Sequence, residues 1–326
     1  MTDVTQAEFT FPVTYAEGTQ TLRGTIYRPA SSVAGAEALP PVVFNSGFTG
    51  GVSMYGQLMG RALAERGYTV TTYDVTGFFT NKAVRNTYRD GDLTVTNVSL
   101  EDQTTELLAL IAWTRAECGR MPAVASWAMG SVASLAAITE LARSGGEQVA
   151  FYVPMNYTRL SALQGLRADP AAADAALAAL ADDAAIPPFD TGTEATRLGY
   201  YPLDPATQAY VDDQLGSYTD AGGADRWPGC THVSAKSYKS YVAFDPEAGL
   251  AAAGAGFPPA LIIHGAENTL HMPAESVRLH EAYPGEKGDA ALILDGMAHG
   301  QTMQPDSPVF QQMIAAIDGK IRARCA

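Results

Sequence analysis

The chain has 326 residues, of which 47% are hydrophobic and 17% charged, and its formal net charge is −14. A chain of this length buries a core large enough for one or two domains. Because its negative field repels phosphate groups, we expect neither nucleic acid nor an anionic membrane surface as a partner. No apolar run approaches the roughly 20 residues of a membrane helix, and the first residues lack the pattern of a signal peptide.

The cysteines are too far apart to form a disulfide framework or a metal-binding knuckle; they are Cys118, Cys230 and Cys325. No set of His, Cys, Asp and Glu has the spacing of metal ligands, and no glycine-rich loop has the phosphate-binding pattern. The sequence therefore predicts a globular protein of the cytoplasm that needs no metal and no cofactor.

The first predicted elements are a β-hairpin and then strands that alternate with helices. Alternating apolar residues predict strands at about Phe9–Tyr15 and Leu22–Tyr27, joined by a turn at Glu17–Thr19. The continuous apolar run Val42–Phe44 is typical of a strand buried in a parallel sheet. The next elements are predicted as a helix at Ser53–Arg66, a strand at Thr69–Tyr73, a helix at Leu100–Cys118, a strand at Ala123–Ser126, a helix at Gly130–Arg143 and a strand at Val149–Pro154.

The alternation is interrupted between about Asn156 and Phe257, a stretch that begins with an alanine-rich helical segment at Ala171–Ala184. The later elements are predicted as strands at Ala260–Ile263 and Ala291–Leu294 and helices at Ala274–Tyr283 and Val309–Ile321. This pattern predicts a mainly parallel central sheet flanked by helices. We expect residues 1–155 and 258–326 to form the core, and residues 156–257 to form an inserted helical cap over the carboxyl ends of the strands.

Ligands of such a sheet bind beyond the carboxyl ends of its strands, and four loops stand out there. The loop at 45–51 is rich in glycine, which allows backbone amides to point inward as an oxyanion hole requires. The segment 126–131 is a tight strand-to-helix turn. The loops at 264–268 and 296–300 carry acidic, amide and histidine side chains.

The order of these loops resembles the α/β-hydrolase superfamily, which has an oxyanion loop, a nucleophile elbow, an acid after a late strand and a histidine after the last strand. Three features are similar to the dienelactone-hydrolase-like branch that includes fungal polyketide transferases: Arg226–Pro228, Tyr241–Asp245, and the spacing from His264 to His271. The likeness extends from about Phe11 to Ile321.

The resemblance implies an α/β-hydrolase fold and a set of site residues. It implies His299 as the catalytic histidine and Glu267 as its acid, with Asn268 as the alternative orienting residue. It implies oxyanion amides at Phe48, Thr49 and Met129. The residues expected to line the substrate pocket are Asn45, Trp127, His271 and Asn268.

The sequence departs from the superfamily at the nucleophile. The elbow reads Ser126-Trp127-Ala128-Met129-Gly130, so that Ala128 stands where a serine or cysteine belongs. A methyl group cannot attack a carbonyl, which excludes acyl-enzyme hydrolysis through this position. We expect neither Ser126 in the strand nor Ser131 in the first helical turn to replace the nucleophile. Natural divergence and an engineered change both explain an alanine here.

If the alanine is natural, His299 oriented by Glu267 acts as general acid and base, and the oxyanion amides hold an enolate. The sequence then predicts an enzyme of specialised metabolism that acts on a hydrophobic, polyketide-like carbonyl compound by cyclisation, isomerisation, or carbon–carbon bond formation or cleavage. One alternative is an ester or thioester hydrolase or acyl transferase whose nucleophile was replaced. Another is a non-catalytic ligand-binding pseudo-hydrolase. The oligomeric state is left open, with a homodimer as one possible form.

Overall fold

The computed structural model describes residues 3–31, 33, 35–47, 56–81, 87–91, 93–165, 169–186, 232–253, 256–268, 271–299 and 305–325. The strands of these residues are β1 (Val4–Tyr15), β2 (Gly18–Pro29), β3 (Val42–Asn45), β4 (Val70–Tyr73), β5 (Thr87–Asp90), β6 (Leu93–Thr96), β7 (Ala123–Trp127), β8 (Tyr152–Met155), β9 (Ala185–Ile186), β10 (His232–Ser234), β11 (Ile263–Gly265) and β12 (Leu292–Leu294). The helices are α1 (Gln57–Ala64), α2 (Leu100–Cys118), α3 (Met129–Ser144), α4 (Leu160–Gly165), α5 (Pro170–Ala179), α6 (Ala235–Ala243), α7 (Leu250–Ala253), α8 (Pro273–Ala282) and α9 (Pro308–Cys325).

The central sheet has eight strands among the described residues, in the order β1-β2-β4-β3-β7-β8-β11-β12. The first two strands form the predicted hairpin, and their register pairs Tyr15 with Gly18 across the turn. Strand β2 runs antiparallel to β4, whereas every pairing from β4 to β12 is parallel. The sheet is therefore mainly parallel, as the alternation of strands and helices predicts.

The helices cover both faces of this sheet and bury one hydrophobic cluster on each. One cluster includes apolar side chains of α2 and α3, such as Leu107 and Leu135, packed on Val43 and Val124. The other includes side chains of α1 and α9, such as Leu63, packed on the opposite side of the same strands. Because both faces of the central strands are covered, their residues read as continuous apolar runs.

A second, four-stranded sheet has the order β5-β6-β10-β9. It joins a hairpin that precedes α2 to two strands of the segment predicted as a cap, since Val95 of β6 pairs with His232 of β10. These short strands are not predicted by the sequence patterns. The alanine-rich helix is also shorter than expected: α5 ends at Ala179, and the backbone is extended at Leu180.

The parallel strands place six loops at one edge of the central sheet. Residues that follow β3, β4, β7, β8, β11 and β12 lie there because the carboxyl ends of parallel strands lie at the same edge. These loops hold most of the residues selected from the sequence. The predicted helix residues 53–55 and the segment Arg226–Pro228 lie outside the described residues.

Candidate active site

The turn between β7 and α3 has an unusual backbone conformation at Ala128. Its φ is 52° and its ψ is −124°, a combination outside the regions that residues with a Cβ atom favour. The Ala128 N–H donates to the Met155 carbonyl at 2.9 Å, and the Ser131 N–H donates to the Ala128 carbonyl at 2.9 Å. The structure thus forms the sharp strand-to-helix bend of an elbow, with a methyl group at its apex.

The elbow is held tightly against the end of β3. A Cβ atom added to Gly130 would lie 2.3 Å from the Ser46 carbonyl oxygen and 2.6 Å from that of Asn45, which only glycine avoids. The Asn45 Nδ2 donates to the Gly130 carbonyl at 2.9 Å. Asn45, expected in the substrate pocket, is fully buried and uses its amide to join these two loops.

Of the three residues expected at the oxyanion hole, Phe48 and Thr49 lie outside the described residues. Met129 is the first residue of α3. The first N–H groups of a helix have no partner within the helix, and the helix dipole favours negative charge there. The backbone of Met129 is therefore suited to hold a developing oxyanion beside Ala128.

The two serines near the elbow belong to a buried cluster behind it. The Ser131 Oγ donates to the Met155 carbonyl at 3.1 Å, and the Ser126 Oγ donates to the Ser131 Oγ at 3.2 Å. The Ser134 Oγ donates to the Ser126 Oγ at 2.8 Å and lies 3.1 Å from the Tyr152 hydroxyl. These bonds support the expectation that neither Ser126 nor Ser131 is a nucleophile.

In the loop that follows β11, Asn268 contacts the imidazole of His299. The Asn268 Oδ1 accepts a 2.9 Å hydrogen bond from the His271 N–H, which fixes the orientation of the amide. The Asn268 Nδ2 then lies 3.2 Å from the Nδ1 of His299. An amide nitrogen only donates, so Nδ1 accepts this bond and the proton of the neutral ring is on Nε2.

Glu267, the acid expected to orient His299, lies elsewhere. Its side chain is exposed, and its backbone N–H donates to the Met297 carbonyl at 3.1 Å. Glu267 is exposed, whereas the next residue, Asn268, is buried. Asn268, the alternative weighed in the sequence, is the residue that the structure places against the histidine.

His264 holds the loop that carries Asn268 and His271. Its Nε2 donates to the His271 carbonyl at 2.8 Å, because a carbonyl only accepts. Its Nδ1 therefore accepts a 2.6 Å hydrogen bond from the Ser276 hydroxyl. Both ring nitrogens of His264 are therefore engaged in local contacts at the end of β11.

His271, expected in the pocket, packs against His299. The two ring centroids are 4.5 Å apart and the ring planes differ by 59°. The Nδ1 of His271 donates to the Asn156 carbonyl at 2.8 Å, which leaves its Nε2 without a proton in the neutral form. Asn156 was not singled out in the sequence; the available signal is its position directly after β8 at the carboxyl edge of the sheet.

The histidines of this site are neutral because they are buried. Burial, with a smaller contribution from His264, lowers the pKa of His299 to about 3. Burial lowers the pKa of His264 to about 4. Burial, and next the nearby His299, hold the pKa of His271 well below its ordinary value. Each pKa lies below neutral pH, so the imidazoles are uncharged there.

Buried apolar side chains lie beside His299 and at the elbow. Trp127 is fully buried, and its indole lies 5.8 Å from the His299 ring between centroids, at 58° to it. Ala128, Met129 and His299 are each at most 5% exposed. Because little water reaches these surroundings, a hydrogen bond donated to a carbonyl group is stronger there than in bulk water.

In the part of the chain that the structure describes, no group of three or more His, Cys, Asp and Glu side chains could hold a metal ion. None of the described helices is long and apolar enough to cross a membrane.

No family model matches the sequence, and no curated protein matches it. Solved structures, in contrast, are similar to the fold of this chain. The hypothetical protein PA2218 from Pseudomonas aeruginosa is 17% identical, with a TM-score of 0.67 over 98% of this chain and 94% of that one. DcsB, solved in complex with its substrate analogue, is 15% identical, with a TM-score of 0.66 over 98% and 100%.

The α/β hydrolase GrgF from Penicillium sp. sh18 is 14% identical, with a TM-score of 0.63 over 99% of both chains. At such identities the likeness is one of fold. It confirms the fold predicted from the sequence: the chain has the α/β-hydrolase fold, with a mainly parallel central sheet flanked by helices.

Proposed function

We propose that the chain is an α/β-hydrolase-fold enzyme that acts on a hydrophobic, carbonyl-containing small molecule without a serine or cysteine nucleophile. The reaction is a proton transfer beside the carbonyl, of the kind that begins isomerisation, cyclisation, or carbon–carbon bond formation and cleavage of polyketide-like compounds.

One observation carries this proposal: Asn268 donates to the Nδ1 of His299 while a methyl group occupies the elbow. A nucleophile elbow needs a hydroxyl or thiol together with an imidazole whose Nε2 accepts its proton. The site has neither, because the Nε2 of His299 carries the proton. What it has instead is a neutral imidazole with a hydrogen-bond donor, the Nε2–H of His299.

A neutral imidazole N–H is an electrophile toward a carbonyl oxygen. The Nε2–H of His299 and the Met129 N–H hold the oxygen and stabilise the negative charge that develops when a neighbouring C–H bond breaks. Burial keeps His299 neutral, so this donor stays in place through the pH range of most enzymes. The apolar wall around Trp127 and Ala128 favours a hydrophobic substrate.

The test uses a hydrophobic ketone, 4-phenylbutan-2-one, whose α-hydrogen exchange in D₂O is followed by NMR. We expect the wild-type chain to accelerate the exchange. We expect His299→Ala to lower the rate by at least about 100-fold, because the oxygen loses its main donor. Ala128→Ser is expected to leave hydrolysis of 4-nitrophenyl butyrate at the wild-type level.

The alternatives give different results. A hydrolase that lost its nucleophile regains strong ester hydrolysis in Ala128→Ser. A non-catalytic binding protein binds the ketone with no exchange above the His299→Ala background, and that outcome contradicts the proposal.

A further inference from the structure

His271 has the proton arrangement that His299 lacks. Its Nδ1–H donates to the Asn156 carbonyl at 2.8 Å, so its Nε2 holds a lone pair. Its ring lies 4.5 Å from that of His299, whose Nε2 carries a proton. Two neighbouring imidazoles thus have opposite roles at the same ring position, one a donor and the other an acceptor.

The backbone of Asn156 is held so that its carbonyl meets His271. Asn156 has a φ of 52°, a left-handed conformation that asparagine adopts more readily than most residues. Its N–H donates to the Ile263 carbonyl at 2.9 Å, and its Oδ1 accepts from the Gly265 N–H at 2.9 Å. Held by both bonds to β11, the residue fixes the tautomer of His271. Sparsely populated backbone conformations of this kind cluster at functional sites, where the surrounding structure holds them in place.

We propose that His271 is the base of the site and that His299 is its electrophile. The Nε2 of His271 removes a proton from the carbon beside the substrate carbonyl, whose oxygen is held by the Nε2–H of His299. This assignment rests on the proposed function and names the residue that carries out its proton transfer.

The step balances in atoms and charge. The C–H bond breaks, its proton forms a new bond to the Nε2 of His271, and the electron pair of the C–H bond forms the carbon–carbon double bond of an enolate. The carbonyl π pair moves to the oxygen. The products are a His271 imidazolium and an enolate, an ion pair with no net charge. The reverse transfer returns a proton to the same carbon or to a conjugated one.

The two hydrogen bonds of the Asn268 side chain are consistent with His271 as the base and His299 as the electrophile. Its Oδ1 binds the His271 N–H, and its Nδ2 binds the Nδ1 of His299. The same side chain therefore positions the backbone of the base and fixes the tautomer of the electrophile. An aspartate at this position would accept from both and would give His299 the opposite tautomer.

The experiment compares two conservative variants in the ketone exchange assay. In His271→Asn, the amide nitrogen can still donate to the Asn156 carbonyl, but no base stands at the Nε2 position. We expect its kcat for exchange to fall by at least about 100-fold with KM within about threefold. In His299→Gln, an amide N–H can replace the Nε2–H, and we expect a loss of only about tenfold.

The matched control is His280→Asn, at a buried histidine of α8 whose Nε2 donates to the Gly288 carbonyl at 2.8 Å. This variant is expected to exchange within about twofold of the wild type. Circular dichroism and ketone binding by saturation-transfer NMR establish that each variant folds and binds.

The outcomes separate the two proposals. Suppose that the wild type exchanges the ketone and His299→Ala does not, while His271→Asn keeps the wild-type rate. The base is then not His271, and the proposed function stands. If His299→Gln loses more than His271→Asn, the roles are reversed and the inference is overturned. If the wild type does not exchange the ketone, the proposed function itself fails.

Discussion

The elbow and the histidine side of the site, which contact each other where Trp127 lies beside His299, are built differently. At the elbow, the backbone is unusual and the side chain inert: Ala128 has a φ of 52° and only a methyl group. On the other side, hydrogen bonds link Ser276, His264, His271, Asn268 and His299 in one continuous series. The difference shows that the elbow backbone keeps its geometry with an alanine at the apex, while the polar contacts of the site lie on the histidine side.

The largest expected effect comes from giving both sides the groups of a nucleophilic triad. In Ala128→Ser combined with Asn268→Asp, the carboxylate accepts from the Nδ1–H of His299, so that Nε2 becomes the base for the new hydroxyl. In serine proteases, replacing the triad aspartate by asparagine lowers kcat by about 10⁴. We therefore expect the double variant to hydrolyse 4-nitrophenyl butyrate about 10³-fold or more faster than Ala128→Ser alone.

The two single variants are the controls for this measurement. Asn268→Asp has a base but no nucleophile, and Ala128→Ser has a nucleophile but the wrong tautomer. Equal hydrolysis by Ala128→Ser and the double variant would show that Asn268 does not determine the proton position on His299.

A second prediction concerns stability in acid, because the histidine side titrates and the elbow does not. The pKa of His299 is lowered to about 3 and that of His264 to about 4 in the folded chain. Below the ordinary histidine pKa, the unfolded chain therefore binds more protons than the folded chain, and stability falls as pH falls. Between pH 7 and pH 5, each of these residues removes about 2 kcal/mol from the free energy of unfolding.

Urea denaturation of the wild type and His299→Gln at both pH values measures this effect. Glu106 has the opposite effect on the pH dependence of stability. Because burial raises the pKa of its carboxyl to about 7, its contribution to the free energy of unfolding falls as pH rises. Its contribution cancels in the difference between the two proteins. We expect the variant to lose about 2 kcal/mol less than the wild type on acidification; identical losses would mean that His299 is not buried neutral.

The sequence predicts most of what the backbone does at this site. Alternating strands and helices predict the parallel sheet, and with it the carboxyl edge that carries the loops of Ala128 and His299. A tight turn between a buried strand and a helix also predicts the elbow without reference to its side chain. These features follow from local patterns, which sequence alone expresses.

The sequence does not predict which of two adjacent residues, Glu267 or Asn268, faces His299. The turn that carries both residues contacts a loop far along the chain, as the Glu267 N–H bond to the Met297 carbonyl shows, and local sequence patterns do not express such contacts. The second sheet is missed for a similar reason, since β6 finds its partner β10 far along the chain and its strands are short. The role of Asn156 depends on a positive φ that composition does not reveal.

The smallest expected effect tests whether the elbow conformation is strained in its own right. A non-glycine residue in a sparsely populated region costs about 1–3 kcal/mol. Ala128→Gly relieves that cost and loses part of the gain to the greater freedom of glycine in the unfolded chain. We expect a net rise of about 1 kcal/mol in the free energy of unfolding, measured by urea denaturation.

The matched control for that variant is Ala175→Gly, at an exposed position within helix α5 where the backbone is helical. Glycine there lowers stability by about 1 kcal/mol, because it only adds freedom to the unfolded chain. Opposite signs at the two positions would mean that the fold holds the elbow bend against the preference of its own residue. The same sign at both would mean that Ala128 is relaxed in the elbow conformation.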